Sequence, residues 1–209
     1  MNPALFKPLQ SANKSLVVLL LCSISLVCAR QAQHGPIFSS LSSGQFREAL
    51  DSANKLLEER GGDAIGYFLK GMALYALGNV ENAMNAWKTS SSLDTSYDQP
   101  RIQRAKHFLK VGLPDNGFFE LNSHVAETEE VKTIRGQLAK MDRLINSAKS
   151  TFQNGRWESC KNYLLDLLQL SPYYEEGRKM IIECYKHIGN MQSVISESIK
   201  LFTTSKKTS

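Results

Sequence analysis

The sequence predicts an all-α fold made of stacked helical hairpins, and three regularities predict it. The interval from Gly44 to Gly78 equals the interval from Gly155 to Gly189, which gives a period of 34. Each of these glycines closes one helical pattern just before another opens. Five positions after each glycine stands a small or β-branched residue: Ala49, Ala83, Cys160 and Val194. Two positions after each glycine stands a bulky apolar residue: Phe46, Val80, Trp157 and Met191. A fixed period of this length is typical of solenoids built from one repeated unit.

Residues 1–29 have the pattern of a secretory signal peptide. Lys7 and Lys14 precede an apolar stretch from Ser15 to Ala29, and small residues stand at its end. We expect cleavage after Ala29. An uncleaved signal anchor is the alternative, although the stretch is shorter than the roughly 18 apolar residues that indicate a membrane span.

The remaining chain is mildly basic, with 23 basic against 20 acidic side chains. These charges are scattered, whereas nucleic-acid binding calls for a concentrated basic face, so we expect no nucleic-acid partner. Two cysteines remain after the signal, Cys160 and Cys184. In an oxidising compartment they are either a disulfide or two buried free thiols, and the sequence leaves both open.

The two middle units carry the clearest repeat positions. They resemble the tetratricopeptide repeat (TPR), a helix-turn-helix unit of about 34 residues. The unit from Ala64 to Tyr97 matches at Tyr67, Gly71, Leu74, Gly78, Ala83 and Trp87. The unit from Met141 to Tyr174 matches at Leu144, Ala148, Phe152, Gly155, Trp157, Cys160, Leu164 and Pro172. The small residues are expected to let the two helices of a hairpin approach closely, with Gly71 facing Ala83.

The terminal units depart from the pattern. The last, Glu175 to Thr208, keeps Tyr185, Gly189 and Val194 but has Ile182 in place of the first glycine, as a capping repeat can. In the first unit, His34-Gly-Pro36 is expected to break the opening helix, which leaves Gln45 to Arg60 as the predicted helix there.

An insertion separates the two pairs of units. Residues 98–112 read as a helix, 113–124 as a loop with Pro-Asp and Asn-Gly turn signals, and 127–152 as one long helix. The sequence therefore predicts an N-terminal TPR block over 30–97, a helical linker over 98–140 and a C-terminal TPR block over 141–209.

No catalytic constellation is visible. The four histidines, His34, His107, His124 and His187, are widely separated, and no zinc-binding, nucleophile-elbow, phosphate-loop or dinucleotide motif occurs. We therefore expect a non-enzymatic protein with no metal and no cofactor.

TPR arrays bind peptides along the face lined by the first helix of each repeat. The family's groove positions fall on Ile65, Phe68, Met72 and Tyr75 in one unit and on Asp142, Ile145, Lys149 and Phe152 in the other. Of the basic set that grips acidic chaperone tails only Lys149 is present, and one lysine does not form that clamp. The resemblance implies a groove for exposed hydrophobic segments, since methionine and aromatic side chains can re-pack. The alternative is that these side chains pack as ordinary core.

The signal segment followed by TPR units resembles, over about Gly44 to Phe202, the TPR region of the endoplasmic-reticulum DnaJ co-chaperones known as the inhibitor of the interferon-induced protein kinase. The resemblance implies a lumenal protein that holds unfolded polypeptides and passes them to a 70-kDa heat-shock chaperone. The hand-over needs a J domain with a His-Pro-Asp triplet, which this sequence does not contain. The alternative is a scaffold for one folded partner, with a membrane involved only if the signal is uncleaved.

Overall fold

The computed structural model of the chain describes residues 33–122 and 125–208. Residues 33–42 form helix α1. The helices that follow are α2 Phe46–Arg60, α3 Ala64–Ala76, α4 Val80–Leu93, α5 Gln99–Val111, α6 Pro114–Glu120, α7 Glu129–Gln153, α8 Trp157–Leu170, α9 Glu175–Ile188 and α10 Met191–Thr208. These described ranges contain no strand. The all-α prediction is confirmed, and the predicted signal over 1–29 lies outside the described residues.

Consecutive helices form hairpins that stack along the chain. The second helix of each hairpin packs against the first helix of the next, so α2 contacts α3, α4 contacts α5, α6 contacts α7 and α8 contacts α9. The buried apolar side chains form a large cluster over α5–α9 and separate, smaller clusters over α1–α4.

The glycines that set the repeat period lie in the turns between helices. Gly44, Gly78, Gly155 and Gly189 all have positive φ, from 66° to 84°. An L-residue with a Cβ reaches this left-handed region only at a cost, so glycine is favoured where a helix must end and reverse. The period therefore marks the tight turns, as the sequence predicted.

Gly71 lies against Trp87, and the prediction that it also faces Ala83 stays a prediction. A Cβ atom at Gly71 would lie 2.5 Å from Cδ1 of Trp87, and its three nearest neighbours are all indole atoms. Ala83 clusters with Leu74 and Ala86. The missing side chain makes room for a large aromatic ring on α4.

The segment predicted as a linker contains a further hairpin in the same register. Gly112 follows Gly78 by one full period, has a φ of 81° and ends α5. Ala105, Gly117 and Leu121 stand one period after Gly71, Ala83 and Trp87, and all three are buried. The α5–α6 hairpin thus shares one hydrophobic cluster with α7, α8 and α9. The block boundaries at 97/98 and 140/141 remain a prediction.

Two local predictions in weakly patterned segments are wrong. The expected loop over 113–124 contains α6, which begins at Pro114, where a missing N–H costs no hydrogen bond. Gly117 gives no turn there but lets Leu138 approach, since a Cβ atom at Gly117 would lie 2.6 Å from Cδ2 of Leu138.

His34-Gly-Pro36 lies within α1 instead of breaking it, and burial of Ile37 (2% exposed) holds that helix in the core.

The predictions of a long helix over 127–152 and of a helix end at Pro172 are confirmed. The long helix predicted over 127–152 is α7, which begins after Thr128, whose side-chain hydroxyl accepts the Val131 N–H. Pro172 lies two residues beyond the end of α8, where the TPR pattern places it. At the far end, α10 is held to α9 by an ion pair between Arg178 and Glu197, both about 90% buried, at 2.6 Å.

Candidate functional site

Phe68, one of the predicted groove residues, belongs to the core. It is 7% exposed, its ring meets that of Tyr97 edge to face at a centroid distance of 5.4 Å, and its carbonyl accepts the Trp87 indole N–H at 3.2 Å. Its prediction as a client-contacting residue is therefore corrected, because a polypeptide cannot reach it in the folded protein.

The other three predicted residues of α3 are partly accessible. Ile65, Met72 and Tyr75 pack against the edge of the N-terminal core. Their spacing of seven and three residues keeps them on one side of α3. Tyr67, Lys70 and Leu74 lie on a different side, where they line a separate groove of about 430 Å³ between α2 and α4. The accessible apolar surface of α3 is therefore Met72 and Tyr75, with Ile65 at one end.

Ile65 lies at a polar cavity near the start of α3. This cavity has a volume of about 370 Å³ and is also lined by His34, Asp63 and Arg60. Asp63 caps the helix by accepting the Gly66 N–H at 2.8 Å and contacts His34 Nε2 at 2.9 Å. Burial acts to raise the pKa of Asp63, but these hydrogen bonds and the nearby His34 outweigh burial and lower it.

Tyr75 connects α3 to α5. Its hydroxyl lies 3.4 Å from Nδ1 of His107, the two rings meet edge to face at 5.8 Å, and the Lys110 ammonium lies 5.3 Å from the centre of the Tyr75 ring. Burial, and secondarily Tyr173, raises the pKa of Tyr75. Burial and the adjacent Lys110 charge lower the pKa of His107, so the neutral imidazole is favoured.

The predicted groove residues of α7 also include one buried residue and three that are at least partly accessible. Ile145 is 8% exposed and belongs to the core, so its prediction as a contact residue is also corrected. Lys149 is exposed, with its ammonium 3.6 Å from Oε1 of Glu176. Phe152 is partly buried, and its ring meets Trp157 edge to face at 5.4 Å. Asp142 is partly exposed near the amide of Asn146.

Residues of α5 were missing from the predicted groove. His107 and Lys110 reach Tyr75 because α5 is the first helix of its own hairpin and so occupies the position equivalent to α3. The signal that reveals this equivalence is Gly112, which continues the spacing of Gly44 and Gly78. The candidate surface therefore runs from Met72 and Tyr75 on α3 to His107 and Lys110 on α5.

Cys160 and Cys184 are free thiols in the structure, and both are fully buried. They lie on the neighbouring helices α8 and α9. Burial, followed by contact with the Cys160 thiol, raises the pKa of Cys184 to about 12. The structure thus holds the two side chains together without a bond between them.

Within the described ranges, no three histidine, cysteine or acidic side chains gather as metal ligands would. The same part of the chain holds no helix whose length and apolar content would let it cross a membrane.

Comparison with known proteins gives related TPR proteins. No family model matches the chain. It is 24% identical over 194 residues to the tetratricopeptide repeat and J domain-containing co-chaperone DNJ1 of Cryptococcus neoformans, covering 79% of this chain and 37% of that protein. It is 26% identical over 183 residues to DnaJ homolog subfamily C member 3 of Gallus gallus, covering 84% of this chain and 36% of that protein. The chain thus spans little more than a third of the length of these relatives.

Among solved structures, the crystal structure of the P58(IPK) TPR domain superposes with a TM-score of 0.71 and 20% identity, covering 83% of this chain and 50% of that one. At this identity the superposition establishes the fold. The chain therefore has a TPR-like fold and resembles the TPR portion of J-domain co-chaperones.

Proposed function

We propose that this chain is a non-enzymatic TPR protein of the secretory pathway that binds unfolded or exposed hydrophobic polypeptide segments. The observation that carries the proposal is the accessible surface formed by Met72 and Tyr75, with His107 and Lys110 beside it. This surface combines a flexible thioether and an aromatic ring with polar groups at one edge.

The chemistry of these side chains suits a client without a fixed sequence. Methionine has three rotatable bonds and a polarizable sulfur, so it can fill differently shaped gaps. Tyr75 offers an aromatic face, while the Lys110 ammonium above it is available to client carboxylates. Phe152 and Lys149 on α7 repeat this combination of an apolar and a basic side chain.

The comparisons support the same proposal. The two curated relatives are named as a co-chaperone and a DnaJ homolog, which fits a role in handling other polypeptides. The apolar stretch from Ser15 to Ala29 after two lysines supports entry into the secretory pathway. In that compartment a 70-kDa heat-shock chaperone is the partner to which clients would pass.

Suppression of aggregation tests this function. The portion 30–209, which holds every described helix, is mixed with thermally denatured unrelated proteins, and light scattering is followed. Met72→Glu should remove most of the suppression, because it places a charge in the middle of the apolar surface. Leu77→Glu is the matched control: Leu77 is 40% exposed at the end of the same helix, outside this surface.

A scaffold for one folded partner gives a different result. It would suppress none of the unrelated substrates, and Met72→Glu would then have no effect to remove. Wild-type protein that fails to suppress at several-fold excess over the substrate therefore rejects client binding in favour of a dedicated scaffold.

A further inference from the structure

The groove between α2 and α4 is polar, and it carries a positive charge at Lys70. Its volume of about 430 Å³ is within the range of ordinary ligand sites. None of the described residues that line it is acidic. Helices α1 and α5 lie to either side of α2–α4 and contribute no residue to the lining, so the groove lies within the array of hairpins and not at one of its ends.

The Lys70 side chain lies level with Asn85 of α4. Helices α3 and α4 form an antiparallel hairpin, and near the start of α3 the Ser90 hydroxyl donates to the Ala64 carbonyl at 2.6 Å. About one and a half turns along each helix from this contact lie Lys70 on α3 and Asn85 on α4. Both residues line the groove.

Asn54 reaches the same part of the groove from α2. A Cβ atom at Gly66 would lie 3.1 Å from Cδ2 of Leu57, which fixes the register of the antiparallel α2–α3 hairpin. About one turn along each helix from this contact lie Asn54 on α2 and Lys70 on α3, and both line the groove. The three helices thus bring one ammonium group and two carboxamides together.

These three groups have no partner among residues 33–122 and 125–208. No acidic side chain there pairs with the Lys70 ammonium, and no group there bonds the carboxamides of Asn54 and Asn85. By contrast, Lys132 and Lys186 each pair with a glutamate three residues away on the same helix. An ammonium and two carboxamides offer N–H donors to a ligand, and an ionised carboxylate is the side-chain group that only accepts hydrogen bonds. Charge and hydrogen bonding therefore both fit a carboxylate.

The shape of the groove fits an extended polypeptide segment. Its lining runs from Tyr67 to Leu74 on α3 and from Asn82 to Thr89 on α4, which is about 10 Å along each helix. That length corresponds to about three residues of extended chain. Leu74 and Ala86, 8% and 6% exposed, give the groove an apolar base against which the methylenes of a side chain can pack.

We propose that this groove binds an extended polypeptide segment with an acidic side chain, whose carboxylate is held by Lys70, Asn54 and Asn85. The groove lies on a different side of α3 from Met72 and Tyr75, so this inference does not rest on client binding at that surface. It gives the chain a second contact site, which selects a charge and not apolar character.

A titration of the isotopically labelled portion 30–209, followed by nuclear magnetic resonance, tests the proposal. The probe is an acetylated and amidated pentapeptide of alanine with a central glutamate, and companion peptides carry glutamine or lysine at the centre. The glutamate peptide should shift the amide signals around Lys70 and bind about fivefold more tightly than the glutamine peptide, as one partly exposed ion pair allows. Lys70→Met should abolish this preference. Lys55→Met is the matched control, because it removes an exposed charge of α2 outside the groove and should keep the preference.

Charge reversal identifies the contact. Lys70→Glu should prefer the lysine peptide to the glutamate peptide, with unchanged helicity because residue 70 is partly exposed. Met72→Glu should still bind the glutamate peptide, since residues two apart do not face each other on a helix, so failure of this site and failure of client binding are distinguishable.

Three results would overturn the proposal: no signal change around Lys70 at millimolar peptide, equal binding of the glutamate and glutamine peptides, or a glutamate preference that survives in Lys70→Glu. Acetylated and amidated glutamate that binds as tightly as the pentapeptide would overturn the assignment of a polypeptide as the ligand.

Discussion

The indole of Trp87 fills the space that a side chain at Gly71 would occupy. A Cβ atom at position 71 would lie 2.5 Å from Cδ1 of Trp87, which is 1% exposed and donates its N–H to the carbonyl of Phe68. Tyr75 stands one turn after Gly71 on α3, and its ring lies 5.3 Å from the Trp87 ring, so the same indole also packs against Tyr75 of the candidate surface.

Gly71→Ala is expected to destabilise the protein by about 1 to 3 kcal/mol, the usual cost of overpacking a buried site. Gly136→Ala is the matched control, because a Cβ there meets nothing within 4 Å. It should be neutral or stabilising by up to about 1 kcal/mol, since alanine favours the helix interior. Urea unfolding followed by circular dichroism measures both changes. Equal stability of the two variants would contradict the close approach of Trp87.

Arg178→Met should loosen α10. The substitution leaves the Glu197 carboxylate buried, and removal of one partner from a buried pair costs about 3 to 5 kcal/mol. We expect the lower end of this range because the Lys200 ammonium also lies 2.7 Å from Glu197. Hydrogen exchange should accelerate in α10 before it does in α3.

Lys179→Met provides the comparison for that experiment. Its ion pair with Glu175 is exposed, so its loss should cost less than about 1 kcal/mol. An Arg178→Met variant that behaves like Lys179→Met would show that the buried pair does not hold α10.

His107 should make stability depend on pH. Burial and Lys110 lower its pKa in the folded protein below the usual value of 6.5. As the pH falls below 6.5, His107 binds a proton in the unfolded chain before it does so in the folded protein. The contribution of neutral His107 to the free energy of unfolding is therefore complete above about pH 6.5 and is lost as the pH falls through the pKa of the folded protein. His107→Phe should remove this component.

The difference between wild type and variant isolates the histidine. Other groups titrate at low pH, including Glu120, whose pKa is raised by burial despite its ion pair with Arg104. Parallel pH profiles of melting temperature for the two proteins would show that His107 titrates alike in the folded and unfolded states.

The thiols of Cys160 and Cys184 should not react with a water-soluble disulfide reagent while the protein is folded. Both are fully buried, and the raised pKa of Cys184 disfavours the reactive thiolate. Unfolding the portion 30–209 should release two reactive thiols, and the Cys184→Ala variant should release one. Detection of none after unfolding would mean that the pair is oxidised, the alternative that the sequence left open.

The sequence was most informative where the repeat period is strict. The turn glycines, the long helix α7 and the position of Pro172 follow from that period and from helix-ending residues. The period did not reveal that the missing side chain at Gly71 accommodates Trp87, because spacing alone does not show which side chain of the facing helix fills a gap.

The errors have a common physical origin. Pro114 and Gly117 read as turn residues, yet one begins α6 and the other lets Leu138 approach. The α5–α6 hairpin was therefore interpreted as a linker although Gly112 continues the repeat period, and the contribution of His107 and Lys110 to the surface beside Tyr75 was missed. Phe68 and Ile145 match groove positions of the repeat, but in this chain they are buried by neighbouring helices, which only the packed structure reveals.

Direct binding of an unfolded polypeptide tests the central claim most closely. A fluorescently labelled, permanently unfolded protein is titrated with the portion 30–209, and anisotropy is measured for wild type, Met72→Glu and Leu77→Glu. We predict saturable binding by wild type and Leu77→Glu, and binding at least tenfold weaker by Met72→Glu, which is a loss of about 1.4 kcal/mol. Equal binding by all three proteins would contradict the assignment of client binding to the surface around Met72 and Tyr75.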